Sequence, residues 1–152
     1  MIRVLMVCLG NICRSPLAEG ILRSKINAEK IFVDSAGTGA WHVGHLPDKR
    51  SIEVAQKHDI DITYQRARQF TEEDFDLFDL IYVMDKENLR NVQSMALNRE
   101  QSKKVKLILD VTKNPRYREV PDPYYGGDQG FDFVFQLLDE ACDQIAKNLM
   151  NE

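Results

Sequence analysis

Cys8 and Arg14 stand six positions apart in the stretch VCLGNICRSP, with a second thiol, Cys13, between them. Two thiols and a guanidinium this close suggest a disulfide, a metal site, or an anion-binding loop around a nucleophile. Gly10 and Asn11 tolerate positive φ, so the loop can curl its backbone N–H groups inward. Arg14 can hold two oxygens of a tetrahedral oxyanion side by side. Cys8 would point into the same hole, where positive potential and a hydroxyl donor, Ser15, favour the thiolate. A thiolate beneath a phosphate-like dianion is placed for in-line attack on phosphorus.

The elements around the loop must position these groups. Arg3–Cys8 is an apolar run that reads as a buried strand. Ser15-Pro16 then predicts a helix, with serine as N-cap and proline at the first helical position. The apolar face of that helix is Leu17, Ile21 and Leu22. A helix N-terminus so placed adds its own N–H donors and partial positive charge to the hole. Further strands are expected at Lys30–Ser35, Leu80–Met84 and Val105–Leu109, and helices at Pro47–His58, Lys86–Leu97 and Phe131–Met150. A capping-box pattern at Thr71–Asp74 opens another short helix. Phe135, Leu138, Cys142, Ile145 and Leu149 form a core-facing stripe on the last helix.

Alternating strands and helices predict an α/β fold: a four-stranded parallel sheet, flavodoxin-like, with helices on both faces and the phosphate-binding loop after the first strand. In such sheets ligands bind beyond the carboxyl ends of the strands, which is where Cys8 falls.

Residues 1–152 are expected to form one domain. With 43% hydrophobic and 29% charged residues the composition is ordinary globular. A net charge of −4 disfavours a nucleic-acid or anionic-membrane surface. The N-terminal apolar stretch is too short for a signal peptide, and no segment approaches the roughly 18 apolar residues of a spanning helix. A soluble, cytoplasmic monomer is the expectation. Three cysteines, at 8, 13 and 142, do not make a disulfide framework. Zinc would need further ligands at matching spacing, and Arg14 would repel it. His42 and His45 form an H-x-x-H pair with nothing to mark it as helical. No metal or cofactor is expected.

C-x5-R-S after a strand resembles the protein tyrosine phosphatase signature, and CLGNICRSPLAEG resembles that of the low-molecular-weight protein tyrosine phosphatases. VDSAGTGAWHVG, ARQFTEEDF, YVMDKENLRN and VPDPYYGG follow in that family's order, so the resemblance spans nearly the whole chain. It implies hydrolysis of phosphotyrosine and other aryl phosphates through a phosphocysteine on Cys8, with tyrosine-phosphorylated proteins as substrates and inorganic phosphate as product and competing ligand. Leu9, Gly10, Asn11, Ile12, Cys13, Arg14 and Ser15 would bind the phosphoryl group, Arg14 stabilising the transition state. Asp122, flanked by Pro121 and Pro123, would be the general acid and then the base for water. Trp41, Tyr124 and Tyr125 match the cleft walls, and Asn11 and Ser35 match positions that support the loop. Gln65 stands where the family commonly has histidine; it can still hydrogen-bond but cannot become charged.

Some residues carry alternatives. Cys13 either packs against the first helix or traps oxidised Cys8 as a disulfide, and the redox role is favoured because both thiols bracket one tight loop. Cys142 reads as core, and Tyr64, Arg66 and Arg68 as solvent-facing polar side chains. An arsenate reductase would need resolving cysteines between Cys13 and Cys142, where the sequence has none. A catalytically dead phosphate-binding module would be expected to lack Cys8 or Asp122. Nucleotide binding lacks its glycine signatures.

Overall fold

The computed structural model describes residues 1–112, 116–124, 126 and 128–150, the side chains of 128 and 129 aside. Strand β1 (Ile2–Cys8) lies between β2 (Ile31–Gly37) and β3 (Leu80–Val83), and β4 (Val105–Leu107) follows β3. Among the described residues the sheet has four strands, all parallel, in the order β2-β1-β3-β4. This is the order of the first four strands of a flavodoxin-like sheet, as expected.

β1 is central because it is apolar on both sides. Val4 and Met6 belong to one core cluster, and Leu5 and Val7 to a second. On the first face sit α1 (Arg14–Arg23), α2 (Lys49–Lys57) and the long α6 (Asp128–Met150). Leu17, Ile21 and Leu22 of α1 are completely buried there, each contributing about 1.5–3 kcal/mol. The second face is covered by α3 (Asp74–Leu77) and α4 (Lys86–Ser94). Among the described residues no helix is long and apolar enough to cross a membrane.

Several boundaries differ from the expected ones for local reasons. α1 begins at Arg14 with Cys13 at the N-cap position, so Ser15 and Pro16 are already helical. Ser15 does not cap the helix because its hydroxyl faces the Cys8 sulfur instead. At Thr71–Asp74 only half of a capping box forms: the Asp74 carboxylate accepts the Thr71 N–H at 2.9 Å. The helix after β3 stops at Ser94, and a separate α5 (Arg99–Lys103) starts at the N-cap Asn98. β4 ends at Leu107, where the chain tightens into a 3-10 turn over Ile108–Val111.

Order β2-β1-β3 makes the carboxyl end of β1 the switch point of the sheet. Loops after β1 and β3 diverge there and leave a crevice between them.

Candidate active site

The loop from Leu9 to Cys13 fills that crevice. Of its two conformationally permissive residues only Asn11 is left-handed, at φ 56°; Gly10 is not. Asparagine tolerates this region better than most residues. The bend brings the Asn11 N–H to 3.3 Å from the Cys8 sulfur. Gly10 matters for space: a Cβ there would lie 3.1 Å from the His42 ring. Gly37, paired with Cys8 across β1 and β2, matters more. A Cβ on Gly37 would stand 2.9 Å from the Leu9 carbonyl oxygen and 3.0 Å from the Asn11 nitrogen, so glycine lets the loop lie against β2.

Behind the sulfur runs a chain of buried hydrogen bonds. Ser15 Oγ lies 3.0 Å from Cys8 Sγ. Asn11 Nδ2 donates to Ser15 Oγ at 2.8 Å and to Ser35 Oγ at 3.0 Å, and Asn11 Oδ1 accepts the Arg68 N–H at 3.0 Å. Since Asn11 donates to Ser15, the serine proton is free to turn to sulfur. Ser35 donates to Glu19 Oε1 at 2.8 Å and lies 3.4 Å from Gln65 Oε1. Gln65 in turn donates to the Pro16 carbonyl at 3.0 Å, so the amide does act as a hydrogen-bonding support behind the loop. Burial pushes the Glu19 carboxyl up from its ordinary value, against the pull of its bonds from Tyr64 and Ser35.

Tyr64 and Arg68 are not simply solvent-facing. The Tyr64 hydroxyl donates to Glu19 Oε2 at 2.6 Å, and burial together with that acceptor raises its pKa. Arg68 clamps Asp34 at 3.1 Å and Asp74 at 3.0 Å while its backbone holds Asn11. Cys142 is fully buried, as its stripe predicts.

In front of the sulfur stands Arg14, only 2% exposed. Its Nη1 donates to Asp85 Oδ2 at 2.6 Å and to the Val120 carbonyl at 2.9 Å, and its Nη2 lies 3.6 Å from Asp122 Oδ2. Burial opposes its charge, but Cys8, Asp85 and Asp122 outweigh this and hold the guanidinium above its ordinary pKa. Asp85 went unnoticed in the sequence, although an Asp-x-x-Asn signal after β3 was there to find. It caps α4 in a full capping box with Asn88. Val120 donates its N–H to the Met84 carbonyl at 2.8 Å, which docks the 120–124 segment on the end of β3 and brings Asp122 across the crevice.

Cys8, Leu9, Gly10, Ile12, Cys13, Arg14, Trp41, His42, Asp122 and Tyr124 line one cavity of about 390 Å³. The side chains of Asn11 and Ser15 stand behind this wall and do not line it. Trp41, 69% exposed, lies over Gly39, and with Tyr124 gives the mouth its aromatic sides. His42 is a wall residue that sequence reading had weighed only as a metal ligand; its ring centroid is 6.4 Å from that of Tyr124. Among the described residues no cluster of three or more His, Cys, Asp and Glu side chains could hold a metal. Tyr125 lies outside the described residues.

The site therefore joins a thiol, a forked cation and a carboxylate in a cavity with one aromatic mouth. A family model described as low molecular weight phosphotyrosine protein phosphatase matches residues 3–152. The low molecular weight protein-tyrosine-phosphatase YfkJ of Bacillus subtilis is 43% identical, with 100% of this chain and 98% of that protein covered. The mouse low molecular weight phosphotyrosine protein phosphatase is 41% identical, over 91% of this chain and 90% of its own length. The crystal structure of a protein tyrosine phosphatase from Entamoeba histolytica superposes with a TM-score of 0.93 at 34% identity, covering 99% of this chain and 98% of that one. With a family model matching residues 3–152, relatives more than 40% identical over at least nine-tenths of the chain and a crystal structure that superposes on it, the chain belongs to the low-molecular-weight phosphotyrosine protein phosphatase family.

Proposed function

We propose that the protein is a single-domain, metal-independent phosphatase that hydrolyses phosphotyrosine in proteins, and other aryl phosphate monoesters, through a phosphocysteine. The observation that carries this reading is that Cys8, Arg14 and Asp122 line one cavity whose mouth is flanked by Trp41 and Tyr124. The phosphoryl group sits in the loop formed by Leu9–Ser15, with the aryl ring between the aromatic walls. Cys8 thiolate attacks phosphorus, the S–P bond forms, and the aryl P–O bond breaks. Arg14 takes the charge growing on the equatorial oxygens. Asp122 gives its proton to the departing phenolate. Water then attacks the phosphocysteine, Asp122 takes its proton, and the S–P bond breaks to free the thiolate and inorganic phosphate. Asn11 and Ser35 keep the loop bent through both steps. Three free thiols suit a reducing compartment, and the reading places the enzyme in the cytoplasm as a monomer acting on phosphorylated proteins.

Acid-quenched enzyme incubated with phosphate-labelled aryl ester tests the covalent route. Asp122→Ala is expected to slow turnover of p-nitrophenyl phosphate in EDTA by about 10²–10⁴-fold. It should still yield labelled protein, whose label is lost when Cys8 is also replaced. No label in Asp122→Ala would sink the phosphocysteine.

Cys13 is assigned to guarding Cys8. A Cys8 sulfenic acid condenses with the Cys13 thiol, forming the S–S bond and releasing water. Burial, with Asp48, Cys8 and Asp122 nearby, raises the Cys13 pKa, so it is protonated at neutral pH. Thiolate is the attacking species, so disulfide formation after peroxide treatment should accelerate as pH rises above neutral. Mass spectrometry showing sulfinic or sulfonic acid at Cys8, with no Cys8–Cys13 disulfide at any pH, would remove the role.

A further inference from the structure

Arg50 lines none of the cavity, yet it bonds the Tyr124 side of the site directly and the phosphate loop through Asp48. It is the second residue of α2. Its Nε and Nη2 each donate to the Asp48 carboxylate at 3.1 Å. Nη2 also donates to the Tyr124 carbonyl at 3.0 Å, and Nη1 to the Gly126 carbonyl at 3.3 Å. Its guanidinium carbon lies 5.6 Å from the centroid of the Tyr124 ring and 4.6 Å from that of Phe131. On the opposite side, the Asp48 N–H donates to the Ile12 carbonyl at 2.7 Å, inside the phosphate loop. The Tyr124 N–H donates to Asp122 Oδ1 at 3.0 Å. A bonded path therefore runs from Ile12 through Asp48, Arg50 and Tyr124 to Asp122.

We propose that Arg50 is a positioning residue for proton donation. It holds Tyr124 and Gly126, and through Tyr124 the carboxylate of Asp122, at a set distance from the phosphate loop, so that Asp122 meets the leaving oxygen of an ester bound over Cys8. The proposal rests on Asp122 being the general acid. The described residues here have no helix or strand; the Tyr124 and Gly126 N–H groups bond locally, to Asp122 and Pro123, while the Tyr124 and Gly126 carbonyls take their donors from Arg50. Arg50 also offers a flat face to the Tyr124 ring. A lysine ammonium keeps the charge but cannot grip a carboxylate, two carbonyls and two rings together. Misplacement of a reacting group by an ångström costs on the order of 10²-fold, and a looser tether costs part of that.

The leaving group provides the test. Phenyl phosphate needs a proton on its departing oxygen, whereas 2,4-dinitrophenyl phosphate leaves well as the anion. Arg50→Gln is expected to lower kcat/KM for phenyl phosphate by about tenfold and for the dinitrophenyl ester by less than about twofold, with inhibition by phosphate unchanged. Arg50→Lys should show the same selectivity, and it covers the case in which Arg50→Gln folds poorly. An equal loss on both esters, or no loss on either, overturns the positioning role. Asp122→Asn measured alongside separates the two claims. If Asp122→Asn discriminates between the esters and the Arg50 variants do not, only the positioning role falls. If Asp122→Asn fails to discriminate, the general-acid reading falls first.

Discussion

Cys8→Ser is expected to reduce kcat for an aryl phosphate by about 10⁴-fold or more, on the scale seen when a covalent nucleophile is removed from a hydrolase. The alcohol has nearly the thiol's shape, and Cys8 is only 2% exposed, so the variant should fold. Its hydroxyl can still face Ser15 and the Asn11 N–H, the groups that now lie 3.0 and 3.3 Å from the sulfur. What it cannot do is ionise at neutral pH. Phosphate binding therefore survives while chemistry stops. Phosphate at a hundred times its dissociation constant should stabilise wild type and Cys8→Ser alike, by about 2.7 kcal/mol in thermal unfolding. Substantial turnover in Cys8→Ser would refute the nucleophile, and loss of the phosphate shift would mean that the loop itself had collapsed.

Arg14→Lys is the second large effect. The guanidinium spends Nη1 on Asp85 and Val120, which fixes its plane and leaves other N–H groups for a phosphoryl group. Lysine keeps the charge but offers a single ammonium, which cannot hold Asp85, the Val120 carbonyl and two phosphoryl oxygens at once. Expected losses are about 10²–10³-fold in kcat/KM, with kcat falling as well as affinity, since the forked bonds tighten on the transition state. Stopped-flow release of p-nitrophenolate reads the first step directly. A kcat/KM within about tenfold of wild type would remove Arg14 from the transition state.

How much of this was legible beforehand depends on how local each feature is. The strand at Ile2–Cys8 and the parallel order follow from an apolar run and its alternation with amphipathic helices, information held within short windows. The spacing of Cys8 and Arg14 is local too. α5 escaped because Arg99–Lys103 buries none of its residues, so no apolar stripe announces it. Ser15 looked like a cap because serine before proline usually is one; its real partner, Cys8, only comes near once the loop bends at Asn11. Asp85 and Tyr64 were missed for a related reason. Their partners, Arg14 and Glu19, are 71 and 45 positions away, and neither residue's type declares which distant group it will face. Gln65 could be placed, but which group its amide would bond became visible only in the fold, where Nε2 donates to the Pro16 carbonyl at 3.0 Å.

Asp85 divides its carboxylate between two tasks. One oxygen accepts the Asn88 N–H at the start of α4, and the other accepts from Arg14 at 2.6 Å. The start of α4 and the plane of the buried guanidinium are thus anchored by one side chain, so a change at this position is expected to disturb the second face and the crevice together.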